Sequence, residues 1–244
     1  GVALYFAHQE PAPVLVVQPT LDMAQDFSKG RLTPTIEASP ALRGLIAPAR
    51  SRDSNNTILS KQYPGGQLDM AGANSPAGLA SRPKRLVLFD EVDRYPEEAG
   101  EEGDPISIGE ARTISFGRRA KVVVVTSPTD EPEQDGDGRW SGSRGMREYR
   151  KGTCEVYECQ CPAPDCGHWQ VLTFDRLLWQ LGEDGEVDRE SIHYPCAACG
   201  HAIRESDRPT LARRWRATTT RDKRHRSFHL EGLSAAFALW ARLV

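Results

Sequence analysis

The chain has 244 residues, enough for one large domain or a domain with a small satellite, which excludes a peptide or a bare metal module. Apolar residues make up 39% and charged residues 27%, a composition too apolar for a disordered chain. With 31 Lys and Arg against 34 Asp and Glu the formal net charge is -3, so no overall basic character marks a polyanion ligand and any nucleic-acid contact must be local.

The chain opens on Gly1 without the basic, apolar and small-residue regions of a secretory signal, so residue 1 is not expected to be the natural start. Its apolar runs are strand-sized, far below the roughly 20 residues of a membrane span, and a soluble protein without a membrane partner is expected. Residues 14–17, Val-Leu-Val-Val, predict a buried strand with a polar exit through Gln18, Pro19 and Thr20, and Thr20 is placed to cap a helix over 21–27. Residues 57–63 and 67–71, joined by Pro64, Gly65 and Gly66, predict a hairpin. The runs at 86–89 and 122–125 are apolar without alternation, the pattern of strands covered on both faces. Together these predict an α/β sheet layered between helices.

The acidic run 97–104 predicts an exposed loop that would repel DNA. Residues 128–145 turn to Pro, Gly, Ser, Asp and Glu, which predicts an exposed loop and a domain boundary after residue 127. Within it Asp135-Gly-Asp-Gly is only a partial calcium loop, lacking the other ligand positions and the closing Glu, and reads as a solvated turn. Region 146–244 then carries the cysteines, two short strand-like pieces and a final apolar stretch from 233 to 244 without a stop signal, so the natural protein is expected to continue.

The most informative chemistry is Leu86-Val-Leu-Phe-Asp-Glu-Val-Asp-Arg-Tyr. Asp90 and Glu91 follow four apolar residues at once, which places two carboxylates at the carboxyl end of a buried strand, where open α/β sheets bind ligands. This is the form of a Walker B element. Asp90 would hold Mg²⁺ and Glu91 would orient or deprotonate the water that attacks the γ-phosphate of ATP. The plainer alternative is a central strand surfacing at acidic residues. Lys121-Val-Val-Val-Val ends in Thr126-Ser-Pro-Thr129, hydroxyl groups at the same sheet edge, read as a segment that couples hydrolysis to movement or simply as a Ser/Thr/Pro turn. No Gly-x-x-x-x-Gly-Lys-Ser/Thr run occurs in the 244 residues, so an ATPase reading needs a phosphate loop upstream of Gly1.

Four of six cysteines form two close pairs. Cys196-Ala-Ala-Cys199-Gly has the spacing of a zinc knuckle, and Cys161-Pro-Ala-Pro-Asp-Cys166-Gly-His168 is a wider pair still within the range of structural zinc sites. Four thiolates close a tetrahedral site, so Zn²⁺ here predicts a structural ribbon; reduced thiols are the alternative, with Cys159 a spare ligand for Cys161, and His168 and His201 nearby. Cys154 reads as a small packing residue. Arg213-Arg-Trp-Arg216 and the basic run 221–226 offer DNA contacts through Arg214 and Arg216, or a solvated hairpin around a buried Trp215. Arg82, Lys84 and Arg85 form a second basic cluster open to the same two readings.

Taken in order, Val16-Val-Gln-Pro-Thr-Leu-Asp-Met-Ala, Ser51-Arg-Asp-Ser-Asn-Asn-Thr, Pro64-Gly-Gly-Gln-Leu, Gly72-Ala-Asn-Ser-Pro-Ala-Gly-Leu-Ala-Ser-Arg-Pro, Asp90-Glu-Val-Asp-Arg-Tyr-Pro, Gly103-Asp-Pro-Ile-Ser and Thr126-Ser-Pro-Thr resemble the large terminase subunit of lambda-like tailed bacteriophages over nearly the whole chain. The resemblance implies a P-loop NTPase-like fold, mainly parallel, with a C-terminal zinc ribbon. It implies an ATPase core over 1–127 that drives double-stranded DNA into a procapsid, and a nuclease domain beyond this chain. By position it gives Asp90 the Mg²⁺, Glu91 the catalytic role, and Thr126, Ser127 and Thr129 the coupling role. The family's Cys-Pro-x-Cys-Gly-His pair is two residues shorter than the pair at Cys161 and Cys166. The partners implied are DNA, a small terminase subunit, a portal or procapsid and further copies of the chain, in the host cytoplasm. Other classes consistent with the residues are a helicase-like DNA-dependent ATPase and a non-catalytic zinc-ribbon adaptor on a decayed ATPase fold.

Overall fold

The computed structural model describes residues 1–47, 56–129, 142–219, 224–235 and 237–244. It divides into two compact units, Gly1–Met146 and Arg147–Val244. The partial calcium loop at 135–138 lies outside the described residues, as do 51–55 of the Ser51 stretch and 221–223 of the basic run.

The first unit is built on a five-stranded sheet. Its elements in chain order are α1 (Val2–His8), β1 (Val14–Gln18), α2 (Leu21–Phe27), a π-turn (Ser28–Leu32), α3 (Thr33–Ala38), α4 (Pro40–Arg43), β2 (Ser60–Tyr63), β3 (Gly66–Gly72), α5 (Pro76–Ala80), β4 (Leu86–Asp90), α6 (Pro105–Ala111) and β5 (Lys121–Val125). A further helix, α7 (Arg144–Lys151), starts in this unit. The strand order is β2-β3-β1-β4-β5, parallel except for the β2–β3 hairpin. Thr20 caps α2, its side chain accepting the Met23 amide at 3.2 Å, and Pro64, Gly65 and Gly66 turn the hairpin as their residue types predict.

Both faces of the sheet are covered, which explains why its central strands lack alternation. Val14 and Val16 of β1 and Leu68 and Met70 of β3 join Phe6, Ala24, Ile36 and Leu42 of α1 to α4 in one core. Leu15, Val17, Val87 and Phe89 point the other way, to Leu79 of α5 and Ile106 of α6. Gly109 lets α6 close on β4, since a methyl group there would come within 2.6 Å of the Phe89 ring. β5 departs from the expectation: it is an edge strand, and Val122 and Val125 are 37% and 50% exposed. An apolar run reports strand propensity, whereas a strand's place in the sheet depends on partners elsewhere in the chain.

Of the two loop expectations, one holds and the other is corrected at its far end. The acidic run 97–104 is an exposed loop as expected, with Glu97, Glu98, Gly100, Glu101 and Glu102 exposed. Its anchors are buried Ala99, Asp104, which caps α6 by accepting the Ser107 amide at 2.9 Å, and the Arg144 guanidinium, which donates to the Pro96 carbonyl at 3.0 Å and lies 3.3 Å from Glu97. At the far end of 128–145, Ser143 and Arg144 are buried and α7 begins, so this part is not an exposed loop.

The second unit contains β6 (Glu155–Gln160), β7 (Trp169–Gln170), β8 (Leu178–Leu181), β9 (Val187–Pro195), β10 (Ala202–Arg204), β11 (Arg213–Ala217) and β12 (Phe228–His229). β10, β9 and β8 form an antiparallel sheet, while β6 pairs with β7, β11 and β12. Among the described residues β11 and β12 both pair with β6 and not with each other, and Trp215 is 40% exposed, not buried as the hairpin reading had it. The final apolar stretch packs back into this unit: Trp240 is fully buried, its Nε1 donates to the Leu233 carbonyl at 2.9 Å, and buried Arg208 stacks on its ring while donating to the Ala235 and Ala238 carbonyls.

Candidate functional site

Asp90 is the last residue of β4, and β4 has parallel neighbours on both sides, so its carboxyl end lies among the exits of β1 and β5. Neighbouring residues fix it there. Gln18, the last residue of β1 and 4% exposed, donates Nε2 to Asp90 Oδ2 at 2.9 Å. The Tyr95 hydroxyl donates to the Val17 carbonyl at 2.8 Å and accepts the Asp90 amide at 3.1 Å, joining the ends of β1 and β4. Burial pushes the Tyr95 phenol far above its ordinary value, so it stays neutral and can do both.

Glu91 leaves the strand in a left-handed conformation, φ 57 and ψ 45, and its amide donates to the Val125 carbonyl at 2.8 Å. A glutamate rarely adopts this region, and such departures concentrate where the surrounding structure enforces a functional geometry. Both carboxylates line a cavity of about 530 Å³ together with Gln18, Phe27, Arg31 and Arg94. Gly30 and Arg31 of its wall belong to the π-turn that interrupts the helix after α2, a feature frequent at functional sites. Arg94 Nε lies 3.4 Å from Glu91 Oε2, a partly exposed and therefore weak ion pair.

This donor set suits a hard cation. Mg²⁺ is held by one or two carboxylates plus substrate phosphates, and Asp90, oriented by an uncharged amide, retains free oxygen lone pairs. Glu91 faces the same space with its backbone anchored, as a proton acceptor for water requires.

The segment after β5 is tied to this turn by Asp93. Thr126 Oγ1 accepts the Asp93 amide at 3.4 Å, and the Thr129 amide donates to Asp93 Oδ2 at 2.9 Å; Ser127 is exposed. Gln18, Asp93, Arg94 and Tyr95 gave no separate signal in the sequence, although each sits within a run that was informative for other reasons.

In the second unit Cys161, Cys166, Cys196 and Cys199 bring their sulfurs within 4.8 Å of one another. The Cys161–Cys199 and Cys166–Cys196 separations are both 3.7 Å. A disulfide would be about 2.05 Å, whereas ligands of a tetrahedral zinc with bonds near 2.3 Å stand about 3.8 Å apart. The spacing fits four ligands of one ion. Two knuckles shape the pair of loops: the Cys161 amide donates to the His168 carbonyl at 2.8 Å and the Cys196 amide to the His201 carbonyl at 2.9 Å. Burial pushes the Cys161 thiol up to about 12, with the neighbouring sulfurs adding to it. Burial also opposes ionisation of Cys196, but the Cys199 and Ala198 amides outweigh it and hold that thiol down at about 6. Cys159 is not in this group; it packs in the core with Leu172 and Tyr194, where burial raises it to about 11. Cys154 is half-buried beside the Tyr149 carbonyl.

The basic residues divide sharply. Lys84 is buried and paired with Asp69, so its ammonium cannot reach a polyanion. Arg85 is paired with Glu10 and stacked over Phe6, which also removes it from a DNA-facing role. Arg82 is exposed. In the second unit Arg214 and Arg216 are half exposed and both hold Glu158, at 2.8 and 2.7 Å, while Arg214 also stacks on Trp169. Burial raises the Glu158 carboxyl, but hydrogen bonds from Arg216 and Arg214 prevail and leave it below its ordinary value. Its charged form therefore stabilises the unit at neutral pH, and that contribution is lost as pH falls through the lowered value. Glu158→Gln is expected to cost about 1–2 kcal/mol at pH 7 in urea unfolding, kept low by the exposure of both arginines, with the difference from the parent vanishing in acid.

The sequence matches the family described as phage terminase large subunit gpA, ATPase domain, over residues 1–216. The chain belongs to that family. Among its relatives, the terminase large subunit of Enterobacteria phage P21 is 26% identical over 221 residues, 88% of this chain and 32% of the relative. That of Escherichia phage lambda is 25% identical over 219 residues, 85% of this chain and 31% of the relative. The chain thus spans about a third of the length of these two relatives. The large terminase ATPase domain of Thermus phage P74-26 is similar at a TM-score of 0.37 and 14% identity, covering 70% of this chain and 64% of that one. The stretch matched to the terminase ATPase domain includes Asp90, Glu91, residues 126–129 and all four clustered cysteines.

Proposed function

We propose that these residues form part of an ATP-hydrolysing motor that moves double-stranded DNA into a phage procapsid. In this reading the sheet of the first unit is a P-loop-type ATPase core whose phosphate-binding loop lies outside the 244 residues, as does the nuclease that cuts concatemeric DNA. The observation that carries it is the joint placement of Asp90 and Glu91 at the carboxyl end of an internal parallel strand, on one cavity, in a chain of the terminase ATPase-domain family.

Bound Mg²⁺ would neutralise phosphate charge as the terminal phosphoryl group is transferred to water. Asp90, aimed by Gln18 and with its amide held by Tyr95, supplies the carboxylate for the ion. Glu91 orients the attacking water and takes its proton. Thr126, Ser127 and Thr129 couple the site to DNA movement. Zn²⁺ on Cys161, Cys166, Cys196 and Cys199 closes a structural ribbon, and exposed Arg82 with half-exposed Arg214 and Arg216 contributes DNA contacts. A small terminase subunit, a portal or procapsid and further copies of the chain are the partners of this motor, in the host cytoplasm.

The test is Mg²⁺-dependent ATP hydrolysis by the full-length protein with and without duplex DNA. A rate raised several-fold by DNA is expected, within the range of ordinary coupling free energies. No hydrolysis, or hydrolysis indifferent to DNA, would overturn the reading.

A further inference from the structure

Asp93 lies two residues beyond Glu91, outside the cavity that holds the two carboxylates, and its own carboxylate brackets a long stretch of chain. One oxygen, Oδ2, accepts the Thr129 amide at 2.9 Å, just after β5. The other, Oδ1, accepts the amide of Gly145 in the first turn of α7. Its own amide donates to Thr126 Oγ1 at 3.4 Å. One side chain therefore ties the exit of β5 and the start of α7 to the turn that carries Glu91, whose own amide is bound to the Val125 carbonyl. The packing leaves no slack at this junction, because a methyl group added at Gly145 would overlap Thr126 Cγ2.

We infer that Asp93 is a positioning residue that links the catalytic turn to the segment coupling hydrolysis to DNA, so that a shift of Glu91 is carried to Thr126, Thr129 and α7. This rests on the motor reading above. A carboxylate is suited to the task because it accepts two amide hydrogen bonds at once in charge-assisted form. An asparagine of the same shape offers one acceptor oxygen and presents N–H groups to the second amide. Packed and hydrogen-bonded elements of this kind transmit by switching between discrete arrangements.

The test compares Asp93→Asn, Thr129→Pro, which removes the donating amide, and the double variant, all in the full-length protein. Expected are unchanged nucleotide affinity, basal hydrolysis within about twofold of the parent, and a stimulation by duplex DNA that falls about tenfold. The double variant is expected to be no worse than either single one, as for partners in one interaction. Amide hydrogen exchange on the 244-residue chain supplies a second readout: Thr129 and Gly145 lose protection in Asp93→Asn while the amides of β1 and β4 keep theirs. Intact DNA stimulation in Asp93→Asn, additive losses in the double variant, or a basal rate that falls in step with thermal stability would each overturn the inference. If Glu91→Gln is inactive while Asp93→Asn remains DNA-stimulated, only the link fails; if the parent shows no DNA-stimulated hydrolysis, the motor reading fails and takes the link with it.

Discussion

Replacing Glu91 with Gln in the full-length protein is expected to stop ATP turnover while leaving nucleotide affinity close to that of the parent. Gln keeps the length and one acceptor oxygen of Glu but cannot take a proton from water, and loss of a positioned general base costs typically about 10²–10⁴-fold in rate. The fold should tolerate the change. The Glu91 side chain is 39% exposed, its backbone hydrogen bond to Val125 does not involve the carboxylate, and its ion pair with Arg94 is of the exposed kind that contributes little. The left-handed backbone conformation is strained equally for Gln and Glu, so it does not bias the comparison. Steady-state hydrolysis and equilibrium binding of ATP separate the two quantities, and a normal rate in the variant would remove Glu91 from catalysis.

Metal analysis of the parent is expected to find one zinc per chain, and the double variant Cys196→Ser, Cys199→Ser to contain none. Removing two of four thiolates leaves no closed tetrahedral site, and structural zinc contributes about 10–16 kcal/mol of apparent binding free energy to the folded state. The consequence should stay local. The sulfur cluster and the core around Leu172, Tyr194 and Trp240 belong to the second unit, whereas the sheet of the first unit has its own two cores. Tryptophan fluorescence provides the readout, since four of the five tryptophans, Trp169, Trp179, Trp215 and Trp240, lie in the second unit. The variant should lose its cooperative tryptophan transition on heating and keep the far-ultraviolet signal of the first unit. Zinc retained by the variant, or an unchanged transition, would contradict the four-thiolate site.

The sheet of the first unit was legible because its strands bury both faces and so appear as unbroken apolar runs, as β1 and β4 do. The same pattern misled at β5, whose outer position follows from pairing order and not from its own residues. Lys84 and Arg85 show the limit of reading charge from sequence, because their partners, Asp69 and Glu10, lie 15 and 75 residues away. The same separation hid Gln18 and Tyr95, whose bonds to Asp90 and Val17 span 72 and 78 residues. The cysteine spacing did reveal the sulfur cluster, and the structure separates Cys161 from Cys159, which two-residue spacing along β6 and its exit could not. The second unit's sheets were illegible beyond two strand-like pieces because β7, β8, β10 and β12 are only two to four residues long and the longer β9 passes through the exposed polar residues Asp188, Arg189 and Glu190, which leaves little periodicity to detect.

The assignment of separate tasks to Asp90 and Glu91 is tested most directly by measuring the affinity of Mn²⁺–ATP, followed by the electron spin resonance of bound Mn²⁺, for Asp90→Asn and Glu91→Gln side by side. The complex should bind Glu91→Gln as it binds the parent and Asp90→Asn at least about tenfold more weakly, the scale of a disturbed metal shell. Equal affinity in both variants, or a loss confined to Glu91→Gln, would contradict a site in which the strand's last carboxylate holds the metal and the next one serves the water.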